Sequence, residues 1–200
     1  MKYDIDLEVE GLFAMYHDPS TGSSFGTYPF PTAGALTQMT SCIARIHGAW
    51  ARPAYLGICR PIEYENHMCN YHGVYRKAGT DNFQFPSTVI VRPVYKVHYR
   101  IEHRNGNADR HPSVDPVHAL YDILTRRIMK GGYLHTPFLG RKDFPVSYLG
   151  SLRESTSICP DLNLEVPKML RYTFPPEAFN SQFSPTFRDT FCQRGVVTYD

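Results

Sequence analysis

An α+β domain of the ferredoxin-like type, with elements in the order βαββαβ, is the fold this sequence predicts, and three observations predict it. Apolar residues alternate with charged ones at residues 5 to 9 and again from Thr88 to Glu102, which is the period of half-buried strands. Two segments, after Thr32 and after Asp115, carry apolar residues at three- and four-residue spacing behind a capping residue and read as helices. A long polar and aromatic excursion separates the second strand from the third. With 200 residues and 42% hydrophobic content the chain can bury one sizeable core, or one core and a small appendage. The expected division is a domain over 1–150, containing the excursion at 65–86, followed by a β-rich extension over 151–200.

In the first strand Ile5, Leu7 and Val9 form the dry face, and Asp4, Asp6, Glu8 and Glu10 the wet one. Asp18 to Ser24 is a loop by composition, and Tyr28-Pro29-Phe30-Pro31 is extended because proline disfavours helix in the residue before it. Thr32 caps a helix expected to run to about His47, with Leu36, Met39, Ile43 and Ile46 as its buried stripe. Trp50 to Pro53 leads into a second strand from about Tyr55 to Tyr64. Glu65 to Pro86 has no clear period, and excursions of that length in a compact domain tend to be functional.

Thr88 to Glu102 reads as one strand, although Pro93 would prefer an edge or a bulge. Asp115 and Pro116 open the second helix, Val117, Leu120, Leu124 and Ile128 line it, Asp122 can pair with Arg126, and Gly131 stops it. Gly140-Arg141-Lys142-Asp143 then forms a basic turn before Phe144-Pro145-Val146 resumes the strand. Beyond Tyr148, strand-like pieces at Met169 to Phe174 and Val196 to Tyr199 are expected to wrap the core as a small sheet or hairpin.

The formal charge of +2 conceals a strong asymmetry. Residues 1–44 hold one cation, Lys2, against five acids, whereas residues 45–142 hold 15 Lys and Arg against 7 acids, with 8 of the 9 histidines. A basic middle suits a polyanion. The residues expected to meet it are Arg45 and His47 at the end of the first helix, and Tyr75, Arg76 and Lys77 in the excursion. Further along are Arg92, Lys96, His98 and Arg100 on one strand face, Arg126 and Arg127 on the second helix, and Arg141 and Lys142 in the turn. Cations about 6 to 7 Å apart along a strand roughly match successive phosphates of a single strand, with tyrosines at hand for stacking. The same patterns also fit the solvated face of an antiparallel sheet and a solvated hairpin tip.

No apolar run approaches the roughly 20 residues that span a bilayer, and the acidic start does not read as a signal peptide, so a cytoplasmic protein without a membrane partner is expected. Five irregularly spaced cysteines read as reduced thiols. His67, Cys69 and His72, with Cys59 as a fourth ligand, are the one candidate set for a zinc site. Without a Cys-x-x-Cys pair they read as an ordinary polar loop, and no metal or cofactor is expected.

Four short motifs carry a resemblance. They are Glu10-Gly11-Leu12-Phe13-Ala14-Met15-Tyr16-His17-Asp18-Pro19, Thr27-Tyr28-Pro29-Phe30-Pro31-Thr32-Ala33, Arg60-Pro61-Ile62, and Phe138-Leu139-Gly140-Arg141-Lys142-Asp143-Phe144-Pro145. In order and spacing they resemble the CRISPR-associated family five of RAMP proteins over residues 3 to 150. The resemblance implies an RRM-like RAMP domain that holds the five-prime handle of a CRISPR RNA. It also implies a place capping a filament of backbone subunits beside a large subunit, with target DNA near the protospacer-adjacent motif as a further candidate partner. The excursion would then be a thumb.

One branch of that family also cuts precursor RNA, with a Tyr after the first helix and a Lys-His pair at the start of the second. Here Ala44 stands where the Tyr would be, Ala119 and Leu120 replace Lys-His, and His118 is one position off. Metal-independent cleavage needs groups that move the 2′-OH proton and stabilise the leaving oxygen, and Ala and Leu do neither. The expectation is therefore binding without catalytic residues, as in type IV effectors more than the self-processing type I-C branch. A substitute endoribonuclease site from His118, Tyr121 and His47, and a general single-strand binder outside CRISPR, are the alternatives.

Overall fold

The computed structural model describes residues 3–22, 25–70, 84–104, 114–174 and 183–199. The first strand, β1 (Asp4–Gly11), is followed by the short β2 (Phe13–Ala14), helix α1 (Ala33–Ile43) and β3 (Ala49–Ile58). Next come β4 (Tyr64–Asn70), β5 (Gln84–Val91), β6 (Val94–His103), helix α2 (Pro116–Lys130) and β7 (Val146–Gly150). Three further strands, β8 (Leu164–Tyr172), β9 (Thr186–Gln193) and β10 (Val196–Thr198), complete the described chain. The main sheet has the order β7-β1-β6-β3-β10-β9-β8, and its pairings are antiparallel. Its first four strands, with α1 and α2, are the expected ferredoxin-like βαββαβ unit.

The core lies on the helix side of this sheet. Cross-strand neighbours share a face, so Leu7 with Val97, Val9 with Tyr95 and Leu56 with Val97 form one apolar layer under α1. Tyr99 in that layer donates its hydroxyl to the Leu36 carbonyl at 3.2 Å. Both helices are capped as their sequences dictate. Thr32 accepts from the Ala35 N–H, Asp115 accepts from the Val117 N–H with Pro116 behind it, and Gly131 closes α2 at φ 68.

Several elements differ from expectation. Helix α1 ends at Ile43 and not near His47, because tertiary partners claim its last carbonyls: the Arg127 guanidinium donates to the Ile43 oxygen at 2.8 Å, and the His135 N–H donates to the Cys42 oxygen at 2.9 Å. The second strand begins at Ala49, six residues before Tyr55, and ends at Ile58. The single strand expected from Thr88 to Glu102 is two strands in two sheets. Pro93 lacks an N–H and Arg92 sits at φ 45, so the chain turns there and β5 leaves for a second sheet of order β2-β5-β4. The described parts of the excursion, β4 and β5, pair antiparallel from Tyr64 with Ile90 to Asn70 with Gln84. In α2, Asp122 pairs with His118, at 3.2 Å, where Arg126 was expected.

The C-terminal extension, expected to wrap the core as a small sheet or hairpin, joins the main sheet through the pairing of β10 with β3. Its residues 151–158 form a strap across the sheet face opposite the helices. Its anchor is Glu8, fully buried, whose carboxylate accepts from the Arg153 N–H at 2.8 Å, Arg153 Nε at 2.6 Å and Thr156 Oγ1 at 2.8 Å. Lys96 Nζ donates to the Arg153 and Thr156 carbonyls from below, and Ile158 packs where Gly57 leaves room.

Candidate nucleic-acid interface

The glycine-led turn after α2 is locked onto the chain that follows β1. Gly140 adopts φ 85, and a Cβ there would lie 1.9 Å from the Met15 carbonyl oxygen, so only glycine allows this approach. The Met15 N–H donates to the Leu139 carbonyl at 3.1 Å, and the Phe144 N–H closes the turn on the Arg141 carbonyl at 3.0 Å. Arg141 pairs with Asp143 at 2.8 Å and lies 5.9 Å above the Phe25 ring. Lys142 is exposed on the far side of the turn, close enough to Cys42 that its charge partly offsets the upward push that burial gives that thiol.

Beside this turn opens a cleft of about 530 Å³. Its walls are the outer face of α1, the end of β8 with the residues after it, and Gly140 with Tyr16 and His17. Gly34, Gln38 and Ser41 lie on one face of the helix because they recur at three- and four-residue spacing, and Arg45, two residues past its end, continues that wall. Arg104, one residue beyond β6, and Arg171, on β8, add two more guanidinium groups, and among the described residues neither Asp nor Glu lines the cleft. Arg171 donates to the Tyr199 carbonyl at 2.8 Å and stacks 5.5 Å from the Tyr172 ring, while its Nε is buried without a hydrogen-bond partner. The Thr37 hydroxyl is likewise buried and unpartnered. Phe174 stands at the rim, 54% exposed. A cleft with three arginines, no acid among its described residues, the Arg171 Nε and Thr37 donors and an exposed ring can hold a phosphate and a flat base.

Of the residues expected from sequence, Arg45 lies in this cleft, with Arg141 and Lys142 immediately after its Gly140 wall. His47 lies beyond the end of α1, exposed. The strand stripe is not a bare cationic row. Arg100, His98 and Lys96 stand opposite Asp4, Asp6 and Glu8 rung for rung, His98 bonds Asp6 at 2.8 Å and stacks 4.6 Å from Tyr55, and the strap covers Lys96. This face and the cleft are on opposite sides of the sheet. Arg92 is exposed at the junction of the two sheets, and Arg126 is exposed on α2. Tyr75, Arg76 and Lys77 lie outside the described residues. Arg127 serves α1 as a cap. Arg127→Ala is expected to cost about 1.5 kcal/mol of stability, the worth of a charged hydrogen bond. Thermal melts check this.

Sequence reasoning missed Arg104 and Arg171. Positions 45, 104 and 171 share no period, and only the α1 to β8 packing brings them together. Gly34 marks that packing, since a Cβ there would press the Arg171 carbonyl at 3.1 Å.

Among groups suited to proton transfer, His118 has Nδ1 3.2 Å from the Tyr3 hydroxyl and Nε2 3.2 Å from the Asp122 carboxylate, and Tyr121 packs 5.4 Å from Tyr3. Tyr16 in the cleft wall is no proton acceptor near neutrality, because complete burial drives its hydroxyl well above the usual range. Burial likewise pushes the Cys59 thiol up to about 11, which keeps it protonated near neutrality and makes it a poor nucleophile. Among the described residues no group of three His, Cys, Asp or Glu is placed to hold a metal, and no helix is long and apolar enough to cross a membrane.

No family model matches the chain, and no curated protein matches it. Solved structures do. A CRISPR-associated protein superposes with a TM-score of 0.73 at 19% identity, over 98% of this chain and 91% of that one. A functionally uncharacterized protein from Streptococcus mutans gives 0.72 at 17% identity, over 98% and 92%. A chain of a CRISPR RNA-guided surveillance complex gives 0.54 at 12% identity, over 94% and 89%. At these identities the likeness shows a shared fold.

Proposed function

We propose that this chain is a non-catalytic RNA-binding subunit of a class 1 CRISPR effector complex, which holds the five-prime handle of the CRISPR RNA and caps the backbone filament. The observation that carries the reading is the cleft, without an acid among its described residues, in which Arg45, Arg104 and Arg171 converge beside the Gly140 to Lys142 turn. Guanidinium groups grip phosphate bidentately, and a cleft without carboxylates does not repel it. The motifs that resemble family five of the RAMP proteins, and the fold shared with a CRISPR-associated protein and with a chain of an RNA-guided surveillance complex, support the assignment to such an assembly. In it the partners would be the guide RNA, the backbone and large subunits, and target DNA near its adjacent motif, all in the cytoplasm.

Incubation with labelled repeat-derived RNA in the absence of metal is expected to give a retarded but intact RNA, displaced poorly by a scrambled competitor. Equal displacement by the scramble would favour a general single-strand binder. The second reading, a processing endoribonuclease, is favoured by His118 standing between Asp122 and the Tyr3 hydroxyl, an arrangement able to orient and poise an imidazole. Discrete cleavage that His118→Ala abolishes would establish that reading in place of the first.

A further inference from the structure

The cleft is larger and more varied than a phosphate requires. Its 530 Å³ falls in the range of pockets that enclose small organic ligands. Its charge is gathered on Arg45, Arg104 and Arg171, while Tyr172 and the exposed Phe174 supply flat apolar surface. Gln38, exposed on the α1 wall, offers both a donor and an acceptor of the kind that reads a base edge. The buried and unpartnered Arg171 Nε and Thr37 hydroxyl are polar groups a dry cleft would leave unsatisfied. A strand leaving past Gly140 would next meet Arg141 and Lys142, which suits a nucleotide within a chain more than a free one.

We propose that this cleft receives one ribonucleotide of the bound RNA turned out of the stack, its phosphate on Arg45, Arg104 and Arg171 and its base laid on Phe174 beside Gln38. The proposal rests on the RNA-binding reading above and adds a defined subsite to it. It also separates two roles. The arginines supply affinity for any sequence, whereas Phe174 and Gln38 act at one position of the RNA only.

The test is an abasic scan, in which repeat-derived RNAs each lacking one base are bound to the wild-type protein and to Phe174→Ala, with fluorescence anisotropy as the readout. Loss of one base–aromatic stack is expected to weaken wild-type binding about tenfold at a single position, and that penalty should vanish in Phe174→Ala. Arg45→Glu should weaken every RNA of the set by a similar factor. Phe174 and Arg45 are both exposed, so circular dichroism should show both variants folded, and the scan itself needs no variant. A flat scan, or a positional penalty unchanged in Phe174→Ala, overturns the subsite while RNA binding stands. Failure of the wild-type protein to bind any RNA of the set overturns the reading beneath it.

Discussion

Gly140→Ala is expected to lower the melting temperature by roughly 10 °C and to weaken RNA binding in the same step. Two costs add. A non-glycine residue at φ 85 is strained by about 1–2 kcal/mol, and the new methyl group would meet the Met15 carbonyl oxygen at 1.9 Å and the Tyr16 ring at 2.9 Å. Overpacking of that kind costs about 1–3 kcal/mol more, since the listening partner is backbone within a fully buried segment and cannot rotate away. For a chain of this size each kcal/mol moves the midpoint by roughly 2–4 °C. Relief would require parting the turn from Met15, with loss of the hydrogen bond to Leu139 and of one cleft wall. Gly131→Ala is the control. Gly131 has φ 68 but open space around its Cβ position, so it bears the strain without the clash and should fall by only a few degrees. Equal melting shifts in the two variants would show that the close approach at Gly140 contributes nothing.

The core of the fold was legible because its signals are local. Asp115, Pro116 and Gly131 bound α2 through backbone chemistry that acts within one turn, and the alternation from Tyr95 to Ile101 reports burial directly. What was not legible depends on contacts distant in sequence. The end of α1 is fixed by Arg127 and His135, which read as a phosphate ligand and as nothing in particular. Strand periodicity runs unbroken through Arg92 and Pro93, although the backbone there passes from one sheet to another. The cationic stripe on β6 was visible, and so was the acidic stripe on β1. Their mutual neutralisation required the register that sets Asp6 against His98. The arginine cleft follows the same rule: Arg45 was readable as a helix-end cation, but Arg171 joins it only because β8 packs against α1.

Glu8→Gln is expected to loosen the strap and to cost about 3 kcal/mol. Glu8 occupies the position that alternation assigns to solvent, yet it is 0% exposed, and its carboxylate gathers two donors from Arg153 and one from Thr156, with Lys96 at 4.0 Å. An amide keeps the shape but turns an N–H toward donors, deprives Lys96 of its neighbouring charge and leaves Arg153 with Glu10 alone, at 2.7 Å; removing one partner costs about 3–5 kcal/mol when such a pair is fully buried, and the partial exposure of Arg153 and Lys96, with the remaining Glu10 contact, favours the lower end. Burial by itself would raise the Glu8 pKa, but the hydrogen bonds from Arg153 and Thr156 and the Arg153 charge outweigh it and hold the group below its ordinary 4.5. A depressed carboxylate contributes stability that is fully present above 4.5 and is lost as pH falls through the lower, folded value. Protection factors over residues 151–158, which allow for the slower intrinsic amide exchange in acid, should therefore fall as the pH drops in the wild-type protein and be low already near neutrality in Glu8→Gln. The same variant discriminates between the two basic surfaces. Freed of its strap, Lys96 becomes available to RNA, so affinity should rise if the strand face binds RNA and stay constant if the cleft on the other side of the sheet does. Constant affinity with a loosened strap is the outcome that the arrangement of Arg45, Arg104 and Arg171 requires.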